Sequence, residues 1–242
     1  MTSHCRIIAL SFAAALAAFI PPTRAAEPAA PPAPATRPAS RPAGHNFAKW
    51  EKEISAYEAK DKTAMPEKGG AVFTGSSTIG RWKTLSQDFP GVNVINRGFG
   101  GSEIVDATHF ADRIIVPYAP KQVFLRAGGN DIHAGKSAEQ VFKDFQDFAT
   151  TVREKLPDAE IVFISLSPAP SRWAERDENK KLNDMVKQYC ADGKNLKYVE
   201  TYDMTLTPDG KAREELFVAD RLHFNAEGYK LLTERVKPFL AK

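Results

Sequence analysis

Two short stretches carry residue types that can do covalent chemistry together. The first is Gly75-Ser76-Ser77, which ends the apolar run Ala71-Val72-Phe73-Thr74. A hydroxyl on the end of a rigid strand suits a nucleophile when a helix begins beside it. Its backbone N–H groups and positive dipole end can stabilise an anion formed there. Taken alone, a Gly-Ser-Ser tripeptide is ordinary turn chemistry, and either serine can serve. The second stretch is Asp220-Arg221-Leu222-His223. An aspartate three residues before a histidine can reach its imidazole across one turn, fixing the tautomer and stabilising the imidazolium. The other ring nitrogen is then available to a serine hydroxyl.

Other residues with chemical potential fit less well. Gly70 and Gly75 have the spacing of a phosphate loop, but Ser76 stands where that motif needs lysine, which argues against a nucleoside triphosphate site. His109 and His133 lack tight His/Cys ligand spacing, so no metal and no cofactor is expected. Cys190 falls in a helical pattern with Leu182, Val186 and Tyr189, where a small buried apolar residue is the natural role.

The elements that must hold these residues follow from periodicity. Phe47, Trp50, Ile54 and Tyr57 recur at helical spacing and predict an opening amphipathic helix. Apolar runs predict strands over residues 71–74, 92–95, 122–126, 160–166 and 196–200. Between them, residues 104–115 read as helical. Ser137-Ala138-Glu139-Gln140 is a capping box for a helix that reaches Leu156-Pro157. A further helix is expected over residues 175–191, and Asn225 can cap a last one over 226–240. Continuous apolar strands separated by helices imply an α/β fold with a parallel sheet covered on both faces. In open sheets of this kind ligands bind beyond the carboxyl ends of the strands. The turns at Gly75, at Asn96 to Gly101 and at Gly128 to Asp131 all follow strand ends and so converge on one rim.

The amino terminus reads as an address. Arg6 precedes a short apolar segment over residues 7–20, and Thr23-Arg24-Ala25-Ala26 offers small residues for cleavage. Residues 1–25 are therefore expected to be a secretory signal peptide, and the protein to be exported to the periplasm or outside the cell. No integral membrane span is expected after its removal. Residues 26–44 are rich in Pro and Ala and read as a disordered linker. The folded domain is expected over 45–242. Lys and Arg outnumber Asp and Glu by 33 to 30, and losing Arg6 and Arg24 with the signal narrows this further. No basic stripe with interleaved aromatics stands out, so nucleic acid is not an expected partner.

A strand-end serine, two glycine turns, an Asn-Asp turn and a terminal Asp-x-x-His, in that order, resemble the SGNH, or GDSL-type, hydrolases. The resemblance spans nearly the whole expected domain, from Val72 to Tyr229. It implies a three-layer α/β/α, flavodoxin-like fold with a central parallel sheet of about five strands. It also implies a serine esterase or acylhydrolase, with Ser77 as nucleophile and Asp220 and His223 completing the triad. The N–H groups of Ser77 and Gly101 and the amide of Asn130 are implied as the oxyanion hole. One position departs from the pattern, since Ser76 stands where the family has aspartate. Trp82, Arg97, Arg172 and Trp173 follow strand ends and are candidates to bind substrate, their indoles stacking on sugars or acyl chains. The expected substrate is a small-molecule, glycan or lipid ester. The polar rim and the lack of an extended apolar lid lean toward an O-acetyl group on a carbohydrate. Acyl transfer to a glycan, and carbohydrate binding without catalysis, are the rival readings.

Overall fold

Residues 1–2 and 44–241 are described by the structure, a computed structural model. The expected signal and linker lie outside the described residues, apart from residues 1, 2 and 44. The chain divides into Met1–Pro34 and Ala35–Lys242, and every element named below belongs to the second unit.

A 3-10 turn at Phe47–Trp50 runs into α1 (Glu51–Thr63), followed by β1 (Ala71–Gly75) and the short helices α2 (Ser77–Gly80) and α3 (Leu85–Asp88). Next come β2 (Val94–Gly98), α4 (Ile104–His109), α5 (Ala111–Ile114), β3 (Gln122–Arg126), α6 (Gly129–His133) and α7 (Ala138–Lys155). The chain closes with β4 (Glu160–Ile164), α8 (Arg176–Asp192), β5 (Leu196–Val199) and α9 (Ala226–Val236). The five strands form one parallel sheet in the order β2-β1-β3-β4-β5.

Alternation along the strands builds two cores. Val72, Val123, Leu125, Ile161 and Phe163 face a layer that includes Ile54 of α1, Phe145 and Phe148 of α7, and Leu182 and Val186 of α8. Phe73, Phe124, Val162 and Ile164 face the opposite layer, with Ile79, Trp82, Phe89 and Leu232 and Val236 of α9. The result is the three-layer α/β/α arrangement expected from the strand pattern. Cys190 is buried in the first core, and burial pushes its thiol up to about 12, which leaves it unreactive. No helix among the described residues is long and apolar enough to cross a membrane.

The caps form as the sequence suggests. Ser137 Oγ accepts from Gln140 N–H at 3.3 Å while Gln140 Oε1 accepts from Ser137 N–H at 2.9 Å. Asn225 Oδ1 accepts from Gly228 N–H at 3.1 Å to start α9. Two boundaries differ from expectation. The helix over 104–115 is broken at Phe110, which leaves helical geometry (φ −92°, ψ 5°) and packs edge-on against Phe99. The second strand begins and ends later than its apolar run, so that Asn96, Arg97 and Gly98 pair with Phe73, Thr74 and Gly75.

Strand order creates the place for a site. The chain leaves β1 toward β2 on one side and returns past it to β3 on the other, so the crevice at their carboxyl ends is a topological switch point. Ser77 follows β1 directly and Asn130 follows β3.

Candidate active site

Gly75 sets the position of the serine turn. It adopts φ +118°, and a Cβ there would stand 2.2 Å from the Arg126 carbonyl oxygen, so only glycine fits. The neighbouring strand then fixes the turn, as Ser76 N–H donates to Arg126 O at 3.0 Å and Phe99 N–H to Gly75 O at 2.9 Å. Ser77 opens α2, and Tyr229 of α9 donates to Thr78 O at 2.9 Å, tying this helix to the one that follows the histidine.

The Asp220 to His223 segment is a closed loop. Val218 N–H donates to His223 O and Arg221 N–H to Val218 O, each at 2.8 Å, while Phe217 and Phe224 form an antiparallel bridge. Ser171 N–H holds it from outside through Arg221 O at 3.0 Å. His223 Nδ1 lies 2.6 Å from Asp220 Oδ2, and its Nε2 lies 2.9 Å from Ser77 Oγ. A carboxylate can only accept, so Nδ1 donates and Nε2 is left to accept from the serine hydroxyl. Asp220 Oδ1 also accepts the N–H groups of Leu222 and His223, each at 2.9 Å. These donors hold the Asp220 carboxyl well below the usual carboxylate range, the His223 N–H contributing most. The histidine side chain is 13% exposed and the aspartate 43% exposed, with Arg81 Nη1 at 3.7 Å from the carboxylate.

Ser76 and Ser77 are separated by geometry. Ser77 bonds His223, whereas the Ser76 hydroxyl makes no hydrogen bond among the described residues. Gly100 lies against Ser77, since a Cβ there would stand 4.0 Å from the Ser77 Cβ. The N–H groups of Ser77 and of Gly101 meet no acceptor among the described residues. Asn130 Nδ2 donates to Ser102 O at 2.9 Å and keeps a second N–H, while its Oδ1 accepts from Arg172 Nη1 at 3.0 Å.

Beneath this rim Asp131 braces the turns. Its buried carboxylate accepts from Ile104 N–H at 3.3 Å and from Lys136 Nζ at 3.0 Å. Lys136 also meets Glu103 at 2.9 Å and Asp144 at 2.8 Å, joining the loop after Gly101 to the segment after Asn130. Burial pushes Asp131 up to about 6 despite the ammonium beside it. The three carboxylates around Lys136 hold it charged.

A cavity opens over Ser77 and His223 and is lined also by Asn130, Arg172, Arg126, Phe217 and Phe224. Of the substrate-binding candidates, Arg172 therefore reaches the site. Trp173 is half-buried under the Arg176 guanidinium, 5.1 Å from its ring, and does not line the cavity. Trp82 and Arg97 require correction. Trp82 is 1% exposed among Phe73, Phe89 and Tyr229, and its Nε1 donates to Asp88 at 2.6 Å. The four-residue α2 turns it down into the helical layer rather than up to the rim. Arg97 is 7% exposed and donates to Asp61 and to the Tyr118 hydroxyl, both at 2.7 Å. It lies within β2 rather than after it, so its side chain points into the layer that holds α1. His109 stacks on Phe47 at 4.0 Å, while His133 bonds Glu175 at 2.6 Å, and among the described residues no group of three or more His, Cys, Asp or Glu can hold a metal.

Sequence reasoning missed Arg126, Glu175, Asn179, Phe217 and Phe224 as cavity residues. Arg126 is the last residue of a mostly apolar strand, and that charge at a strand end is the one signal that was available. Glu175 and Asn179 belong to a polar helix start with nothing local to mark them.

The family model described as GDSL-like lipase/acylhydrolase matches residues 63–231. Among solved structures, a protein described as a platelet activating factor from Streptococcus pneumonia is 18% identical, with 81% of this chain and 94% of that chain covered, at TM-score 0.71. An acylhydrolase from Bacteroides fragilis is 17% identical over 80% of this chain and 95% of that chain, at TM-score 0.66. A GDSL-like lipase from Bacteroides thetaiotaomicron is 20% identical over 80% and 96%, at TM-score 0.62. No curated protein matches the sequence.

Proposed function

Since the chain belongs to the GDSL-like lipase/acylhydrolase family, a family of ester-cleaving enzymes, we propose that it hydrolyses carboxylic esters through Ser77, His223 and Asp220. The observation that carries this reading is the unbroken chain from Asp220 Oδ2 through His223 to Ser77 Oγ, at 2.6 and 2.9 Å. His223 Nε2 takes the Ser77 proton as Oγ attacks the ester carbonyl carbon. Charge develops on the carbonyl oxygen, and the N–H groups of Ser77 and Gly101 with the second N–H of Asn130 are the donors offered to it. One such donor is typically worth about 2.7 to 4 kcal/mol of barrier. The protonated Nε2 then gives its proton to the leaving alcohol, and water, activated by the same nitrogen, releases the acid from the acyl-serine.

The departure at Ser76 is compatible with this scheme, because the carboxylate that orients His223 comes from Asp220. The expected signal over residues 1–25 makes the enzyme an exported one. Short polar turns around the cavity favour an O-acyl group on a carbohydrate as substrate.

The reading is tested with p-nitrophenyl acetate and a fluorophosphonate probe on the wild type and on Ser77→Ala. Turnover and labelling are expected for the wild type and neither for the variant. A wild type that does neither, or a variant that labels equally, overturns it.

A further inference from the structure

Among the described residues, three buried side-chain oxygens have no hydrogen-bond partner: Thr151 Oγ1, Glu175 Oε2 and Asn179 Oδ1. Glu175 and Asn179 both line the cavity that holds Ser77 and His223. Buried polar atoms are nearly always paired, so two orphaned acceptors on one wall of a reaction cavity need an explanation. Asn179 is 5% exposed at the start of α8, and its amide nitrogen makes no hydrogen bond among the described residues either. The amide oxygen is therefore an unmet acceptor in a residue of the cavity wall. Its neighbour one turn further along, Asn183, has both amide atoms engaged, by Leu166 N–H and Leu166 O at 2.9 and 2.8 Å. The orphaned state therefore belongs to the cavity wall and not to asparagines of this helix generally. Glu175 is held in place by one oxygen, with Oε1 at 2.6 Å from His133 Nδ1, which leaves Oε2 for something else.

We infer that Glu175 and Asn179 form a hydroxyl-reading subsite, so that the ester taken by this site carries its acyl group on a polyhydroxylated ring and not on an alkyl chain. The inference rests on the serine-esterase reading above. A hydroxyl suits the wall because it donates to Glu175 or Asn179 and accepts from Arg172 on the same cavity. An anionic ligand meets the Glu175 carboxylate, and an ammonium meets the Arg126 and Arg172 guanidiniums. An alkyl chain has no donor for either acceptor and leaves both unmet. Phe217 and Phe224 supply the apolar surface on which the C–H face of a sugar ring packs.

The test compares kcat/KM for a methyl xylopyranoside acetate with kcat/KM for hexyl acetate, using the full-length enzyme, with p-nitrophenyl acetate as a reporter of the serine chemistry. The wild type is expected to favour the sugar ester by at least ten-fold. Asn179→Leu and Glu175→Ala are each expected to lower that ratio by ten-fold or more, chiefly through KM for the sugar. A wild-type preference for hexyl acetate overturns the subsite without any variant, and so does a ratio unmoved by both substitutions. If p-nitrophenyl acetate is cleaved in a Ser77-dependent way while the sugar preference is absent, only the subsite falls. If Ser77-dependent cleavage is itself absent, the esterase reading fails and takes the subsite with it.

Discussion

Arg172 donates to the carboxamide oxygen of Asn130 at 3.0 Å and thereby fixes which end of that amide is nitrogen. A guanidinium has no acceptor, so the atom it meets is the oxygen. The nitrogen then donates to Ser102 O and keeps one N–H for an oxyanion. Asn130→Ala is expected to lower kcat by about 10²–10³-fold with little change in KM. Arg172→Met leaves the amide held only through Ser102 O and is expected to lower kcat by about ten-fold, with partial recovery in Arg172→Lys. Steady-state kinetics decide it: an effect of Arg172→Met confined to KM reports the lost substrate contact alone and contradicts the positioning of Asn130.

Only one of the two adjacent serines is bonded to His223. Ser76→Ala is expected to keep fluorophosphonate labelling and kcat within about three-fold of the wild type, because the Ser76 hydroxyl bonds nothing that the reaction uses. Loss of labelling in Ser76→Ala, with labelling kept in Ser77→Ala, reverses the assignment.

The donors on Asp220 set the pH behaviour. Its carboxyl is depressed in the folded protein, so the stabilisation it brings is present above the ordinary carboxylate range and is lost as pH falls through its folded value. Asp220 thus stays ionised through mildly acidic pH. Asp220→Asn removes the acceptor that orients Nδ1 and is expected to lower kcat by about 10²–10³-fold, less than for a fully buried aspartate because this one is partly exposed.

Lys136 is the counter-ion of the buried Asp131 carboxylate. Lys136→Met leaves that carboxylate buried and unpaired, and is expected to cost about 3–5 kcal/mol of stability at pH 8. Asp131 already sits above its ordinary range, so its folded state binds a proton more tightly than its unfolded state. Stability from this group is therefore greatest at low pH and declines as pH rises toward about 6. The loss in Lys136→Met is accordingly expected to be smaller at pH 5 than at pH 8. Urea unfolding at the two pH values measures it, and equal losses contradict the ion-pair account.

Local pattern carried a large part of this protein. The run Gln122–Arg126 becomes β3 unchanged, the Ser137 box starts α7 and Asn225 starts α9, because strand alternation and capping are decided by neighbours a few residues away. Gly75 was legible for the same reason, a turn glycine between an apolar run and a helix start. The roles of Ser76 and Ser77 could not be divided locally, since the bond that separates them spans 146 positions. Trp82 and Arg97 followed apolar runs yet ended in the cores, because helix length and strand pairing, not position after a run, decide which way a side chain points. Glu175 and Asn179 were invisible as site residues. A polar helix start reads as solvent-facing until the packing of α8 against α7 and β5 and the closed loop at His223 turn it into a cavity wall. The sequence by itself determined the elements and the ordered blocks, through short-range periodicity and turn chemistry. Tertiary structure alone decided which polar atoms meet, because burial and hydrogen-bond partnership depend on segments brought together from distant parts of the chain.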